Sequence, residues 1–168
     1  QRGRATLRQL GSALPEVVTV YDLNLRPGCY SPGLVKDLLG QARAVKFNES
    51  EMKMVAEFAD LPPEVEAFCP AGACRYGWTA AAVTFGEHGC AVWIEGSYAR
   101  LEGVPVRVAD TVGAGDAFTA AFVHGLSLGW PPQEIGAFAN RIGALVASRP
   151  GGIPEWNLDE VMPIPGRT

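Results

Sequence analysis

The segment Asp110-Thr-Val-Gly113-Ala-Gly115-Asp116 sets two glycines and a carboxylate ahead of a run in which Phe118, Ala121, Phe122 and Gly125 recur at helical spacing. The first amides of a helix have no intrahelical acceptor, and the macrodipole is positive there. Glycines let an anion reach those amides without a Cβ in the way. The spacing therefore describes a site for a phosphate or an oxyanion, with the carboxylate of Asp116 beside it. The two glycines alone also fit a plain tight turn, with Asp116 complementing the dipole. The segment is not a P-loop, since the chain contains no Gly-Lys pair, and Phe118 stands where a dinucleotide fingerprint needs its third glycine.

Three further groups carry chemistry. Asn48-x-x-Glu51 has the spacing of a capping box at a helix start. Asp22, Asn24 and Arg26 follow a short β-branched run, so alternation predicts all three side chains on one side of a strand end, where open α/β sheets bind ligands. Turn chemistry before Pro27, with Arg26 on the surface, is the competing reading. Thr84 near the end of the apolar run 80–85, and Gly86 and Gly89 in the segment that joins it to the run 90–95, fit a hairpin turn.

The elements that must position these residues alternate strand and helix. Residues 4–13 suit a helix. Val17 to Tyr21 suit a strand buried on both faces. Ser31 and Pro32 open a helix with Leu34, Val35, Leu38 and Leu39 on one face. Residues 44–47 read as a strand, and Met52, Val55, Ala56 and Ala59 mark a helix stopped by Pro62-Pro63. The segment 61–77, with its prolines, glycines and two cysteines, reads as mostly loop with a short helix. After the hairpin, residues 98–108 suit one or two edge strands. A helix from Ala114 and another opened by Pro131-Pro132 complete the order, with Pro150-Gly151-Gly152 as the stop. Crossover helices between strands imply a largely parallel sheet covered on both faces, an α/β layered fold.

Composition agrees with one globular unit. The 168 residues are 48% hydrophobic and 19% charged, with a net charge of −4 from 14 Lys+Arg and 18 Asp+Glu. A pI of 5.2 lacks the basic excess of a general nucleic-acid binder. No apolar run approaches the roughly 18 residues of a membrane span, and no apolar stretch follows the charged first residues as a signal peptide requires. The chain does not begin with Met, which fits processing or a start inside a longer product. Cys29, Cys69, Cys74 and Cys90 contain no C-x-x-C pair and are expected as reduced thiols of a cytoplasmic protein. His88 is expected in a loop and His124 at a helix surface or core edge. The four tryptophans, Trp78, Trp93, Trp130 and Trp156, are expected to be structural.

Taken together the segments resemble the ribokinase-like (PfkB) family of carbohydrate kinases. The resemblance rests on Asp110-Thr-Val-Gly-Ala-Gly-Asp116-Ala-Phe118, Asp22-Leu-Asn24-Leu-Arg26-Pro27, Asn48-Glu-Ser-Glu51, Thr84-Phe-Gly86-Glu-His-Gly89 and Ser148-Arg-Pro-Gly-Gly152, in that family's order. The spelling around residues 22–30 and 45–48 is most similar to bacterial fructokinases. It implies a three-layer α/β/α ribokinase-like sheet, with residues 1–168 as the nucleotide-binding, catalytic C-terminal part of one domain. The N-terminal half, with its sugar-binding motif and lid, is absent.

The implied activity is phosphoryl transfer from ATP to a sugar hydroxyl. Asp116 would be the base, and Gly113, Ala114 and Gly115 the anion hole. Asp22, Asn24 and Arg26 would lie on the substrate or phosphate side. Thr84, Gly86, Gly89 and Asn140 would face the nucleotide. Asn48 and Glu51 would organise water around Mg²⁺, and Asp110 would belong to a K⁺ site. The implied partners are sugar and ATP, with a homodimer formed through the lid. A kinase-like module without catalysis, or a kinase for a non-sugar alcohol, are the alternatives.

Overall fold

A computed structural model describes residues 17–161, together with residues 3, 6, 9, 10 and 13. The helix expected over 4–13 lies largely outside the described residues. Among the described residues five strands form one sheet in sequential order: β1 (Val20–Asp22), β2 (Ala44–Asn48), β3 (Ala80–Thr84), β4 (Cys90–Ile94) and β5 (Ser97–Leu101). The first three are parallel, and β4 and β5 continue antiparallel. The sheet is therefore mixed rather than largely parallel, because the short loop after β3 can only reverse the chain.

Helices cover both faces. Strand alternation sends Val45, Phe47, Ala81, Val83 and Ala91 to one side, where they meet α1 (Pro32–Leu39), α2 (Glu49–Ala59) and α3 (Val65–Tyr76). Ala44, Ala80, Ala82, Cys90 and Val92 face the other side, against α4 (Ala114–Ser127) and α5 (Pro132–Ala147). The first layer is built around Phe47, Phe68 and Trp78, whose rings pack 5.2–6.0 Å apart. Phe47 and Phe68 are completely buried, and each contributes about 1.5–3 kcal/mol on burial. The indole N–H of Trp78 donates to the Leu39 carbonyl at 3.0 Å. The second layer depends on close approach: a Cβ on Gly125 would lie 2.6 Å from Ile135 Cγ1.

Two further expectations are corrected. Residues 65–76 form a twelve-residue helix rather than a loop with a short helix. Val65, Phe68, Cys69 and Gly72 make its buried stripe, and Pro70 is tolerated because it points to solvent. Strand β1 begins only at Val20, and Val17 and Val18 are exposed. It is half-buried, not buried on both faces, because it is the outer strand of the described sheet. Among the described residues one strand, β5, follows the hairpin, within the expected one or two. Residues 102–108 leave the sheet where Gly103 packs against the Glu87 carbonyl, 1.9 Å from where a Cβ would stand.

All four cysteines are free, with Cys69 and Cys90 buried and Cys29 and Cys74 exposed. Cys69 and Cys74 belong to different environments of α3 and do not form a pair. Burial pushes the Cys69 thiol up to about 12, helped by the Glu66 charge, and burial likewise lifts Cys90 to about 12 against the pull of Arg100 and Asn140. Only thiolates alkylate, so at about pH 8 the buried pair stays neutral and shielded. Native protein is expected to take up label at Cys29 and Cys74 alone, and at all four cysteines after denaturation, as read by mass spectrometry. Labelling of Cys69 or Cys90 at the native rate of Cys74 would contradict this packing.

Candidate active site at the strand ends

Parallel pairing of β1, β2 and β3 brings their C-terminal ends to one edge. Asp22 stands opposite Lys46, and Asn48 opposite Thr84. Three separate sequence groups thus meet at the edge where α/β sheets bind ligands.

The first turn of α4 is laid over this edge. Gly113 is its N-cap, with φ +80, and a Cβ there would stand 2.1 Å from the Gly152 carbonyl oxygen. Both facts demand glycine. The Ala114 amide donates to the Thr111 carbonyl at 3.3 Å, and the Ala117 amide to the Gly113 carbonyl at 2.8 Å. Among the described residues, the amides of Gly113, Gly115 and Asp116 are left without an acceptor. Ala114, expected in the anion hole, therefore closes the turn with its N–H, and three amides remain for a ligand. The Asp116 carboxylate is exposed in the same turn and receives no hydrogen bond from the described residues.

Asp110 fixes this turn from behind. Its Oδ1 accepts from the Val112 amide at 3.0 Å and its Oδ2 from the Gly151 amide at 3.3 Å. The Ala147 carbonyl accepts from the amides of Ala109 and Asp110 at 2.9 and 3.2 Å. Each of these oxygens accepts from backbone N–H groups and so braces the turn. Asp110 ties the start of α4 to the segment after α5.

Glu51 is 5% exposed and works the same way. Its Oε2 accepts from the Asn48 amide at 2.9 Å, while Asn48 Oδ1 accepts from the Glu51 amide at 2.9 Å, which completes the capping box. Its Oε1 reaches across to the Leu25 amide at 2.8 Å. Glu51 thus holds the chain leaving β1 against the start of α2. No group of three His, Cys, Asp or Glu that could hold a metal ion occurs among the described residues. Each carboxylate oxygen of Glu51 accepts from one amide, which leaves a lone pair on each for a water.

The Asp22, Asn24, Arg26 group is not one face. β1 ends at Asp22, and Asn24 has φ +41, a left-handed residue that breaks the alternation. Arg26 is exposed in a turn closed by the Cys29 amide on its carbonyl at 3.0 Å, and it makes no ion pair among the described residues. Asp22 alone points into the site. Its Oδ1 lies 3.2 Å from the Lys46 ammonium, and its Oδ2 accepts from the Thr119 hydroxyl at 2.6 Å. The Thr119 hydroxyl is also 2.9 Å from the Gly115 carbonyl, but it has one proton, and the charged acceptor is the stronger partner. Neither Lys46, expected only as part of a strand, nor Thr119 was expected at the site. The available signal was a single cation inside the apolar strand Ala44-Val-Lys-Phe47.

Thr84 donates to the Phe47 carbonyl at 3.3 Å at the end of β3. Gly86 and Gly89 have φ of +60 and +92, and a Cβ on Gly89 would meet the Leu101 carbonyl at 2.0 Å. Both glycines are needed by the hairpin loop itself. Asn140 on α5 donates to the Glu102 carbonyl at 3.0 Å and anchors the chain leaving β5. His88 is an exposed loop residue, and His124 packs edge-on against Trp130 at 5.7 Å, as expected. Trp78, Trp93 and Trp130 are buried, while Trp156 is 41% exposed. Beside Asp116 opens a cavity of about 650 Å³ walled by Ala117, Ala120, Phe138, Ile142 and Pro154. Its apolar walls offer few hydrogen bonds to a polyhydroxylated ligand.

The strand ends of this α/β/α sandwich thus carry three helix-start amides and one carboxylate without hydrogen-bond partners among the described residues. Residues 3–158 match the model of the pfkB family of carbohydrate kinases, and the chain belongs to that family. A fructokinase of Klebsiella pneumoniae is 28% identical over 124 residues, which are 71% of this chain and 39% of that protein. Among solved structures, a fructokinase from Vibrio cholerae superposes with a TM-score of 0.75 at 25% identity, over 90% of this chain and 52% of that one. A 2-dehydro-3-deoxygluconokinase from Thermotoga maritima superposes with a TM-score of 0.78 at 19% identity, over 94% and 53%. The fold is ribokinase-like, and the chain spans about half the length of these solved relatives.

Glu51→Gln generates a test of this geometry. Glutamine has one oxygen for the two amides of Leu25 and Asn48, and its NH₂ must face one of these donors. Leaving a buried donor unmet costs about 1–3 kcal/mol. The variant is expected to unfold at a correspondingly lower urea concentration. An unchanged midpoint would mean that Glu51 does not hold both segments.

Proposed function

We propose that the chain is the nucleotide-binding, catalytic C-terminal part of a single ribokinase-like domain that transfers the γ-phosphoryl group of ATP to a sugar hydroxyl. The observation that carries this reading is the first turn of α4, where three amides without acceptors adjoin the unbonded carboxylate of Asp116. The Vibrio fructokinase was solved with fructose and ADP bound, which favours a sugar as acceptor and ATP, the precursor of ADP, as donor for this family member.

Phosphoryl transfer asks a protein for positioning and charge stabilisation. In the proposed reaction the acceptor oxygen forms a bond to the γ-phosphorus. The bond from that phosphorus to the bridging oxygen breaks, and its electron pair leaves with ADP. The amides of Gly113, Gly115 and Asp116 stabilise the charge on the oxygens in flight. The acceptor's proton passes to the Asp116 carboxylate and from there to solvent. Mg²⁺ bound with the ATP phosphates would neutralise their charge, with Asn48 and Glu51 ordering its water, and Asp110 would belong to a K⁺ site.

Sugar-holding groups do not surround Asp116 among the described residues. The chain alone is therefore expected to phosphorylate no sugar at a measurable rate, because the near-attack geometry cannot form. A coupled ADP-release assay on the chain, with fructose as acceptor, checks this.

In the complete kinase, Asp116→Asn is expected to lower kcat by about 10²–10⁴, the range for loss of a general base. Asparagine leaves the three amides in place, so ATP binding should change little. Loss of kcat with near-normal binding marks an interaction made in the transition state. A kcat within a few-fold of the parent would make Asp116 a helix-start acid only. Collapse of ATP binding would make it structural.

A further inference from the structure

Lys46 is 7% exposed and lies mid-strand on the face toward α4. Its ammonium stands 3.5 Å from where a Cβ on Gly115 would be, directly beneath the anion turn. This is an unfavourable place for a cation, since the helix dipole is positive at that end. Asp22 offsets the charge and accepts one N–H. An ammonium has three, and among the described residues the other two have no acceptor. Gly115 leaves the space beside them open. Alanine would fit with ordinary contact there and is the better helix former, but its methyl would cover the ammonium.

We propose that Lys46 contacts the terminal phosphate of the nucleotide from below the turn, and that Asp22 and Thr119 are positioning residues that hold the ammonium there. The inference rests on the kinase reading and adds a cation to the three amides. It assigns Asp22 to orienting Lys46 instead of touching substrate. The charge conflict at the helix start is relieved when an anion occupies the turn.

The test is titration of the chain with ATP and with AMP by calorimetry, for the parent, Lys46→Met, Lys46→Arg and the double variant Lys46→Met/Asp22→Asn. The double variant removes the carboxylate that the single one would leave unpaired, so a folded protein without the ammonium is available. Loss of a charge-assisted hydrogen bond is expected to weaken ATP on the order of 10-fold or more. AMP, which lacks the terminal phosphates, should stay within about 2-fold, and Lys46→Arg should recover part of the ATP affinity. A parent that prefers ATP over AMP, with variants that keep this preference, overturns the role of Lys46 and leaves the kinase reading standing. Equal weakening of ATP and AMP also overturns it. A parent that binds no ATP, or shows no preference, overturns both.

Discussion

One half-buried carboxylate joins the three elements on which the site depends. Asp22 ends β1, meets Lys46 of β2 across the parallel register, and accepts from Thr119 of α4. Without it the ammonium of Lys46 would be a buried charge with no partner, and removing one member of such a pair typically costs about 3–5 kcal/mol. The pair need not add net stability over an apolar substitute. What it fixes is registry: α4 must sit with Thr119 over Asp22, which sets its first turn above the ends of β1 and β2. The apolar packing of Phe118, Phe122 and Ile142 holds α4 on the sheet but does not choose this position along it.

Around that anchor the loops are shaped by backbone demand. Gly113 is compressed against Gly152, so the turn before α4 and the segment after α5 form one unit. Asp110 reinforces it with two amide contacts, and Glu51 does the same for the chain after β1 and the start of α2. Three of the acidic residues singled out in the sequence thus act as braces on main chain or on Lys46. Only Asp116 has a carboxylate left over. The division follows from place: the braces are drawn into contacts between elements, while Asp116 faces outward from the first turn of α4.

Much of this was legible in the sequence because it is local. The capping box at Asn48 and Glu51, the Ser31-Pro32 helix start, the hairpin around Gly86 and Gly89, and the glycine-led start of α4 all follow from short-range rules. The α/β layering followed from element order. What escaped is set by tertiary contact. Helix α3 keeps Pro70 because its opposite face buries Phe68 and Cys69 against the sheet. Alternation failed at Asn24 because Leu25 is drawn to Glu51, far along the chain. Lys46 reads as an ordinary strand lysine until the parallel register puts it opposite Asp22. The hydrogen-bond duties of Asp110, Glu51 and Asn140 were likewise invisible, since each partner is backbone and carries no residue signature.

The braces have a consequence for how the sequence can drift. Asp110 recognises Val112, and Glu51 recognises Leu25, by an N–H that every amino acid but one possesses. Val112 is 64% exposed, so its side chain adds little to this grip. Over evolutionary time such a position can wander through charge, size and polarity while the turn keeps its shape, because what is inherited there is a peptide bond. Proline is the single letter excluded, and the carboxylates carry the memory of the loop's form in its neighbours' stead.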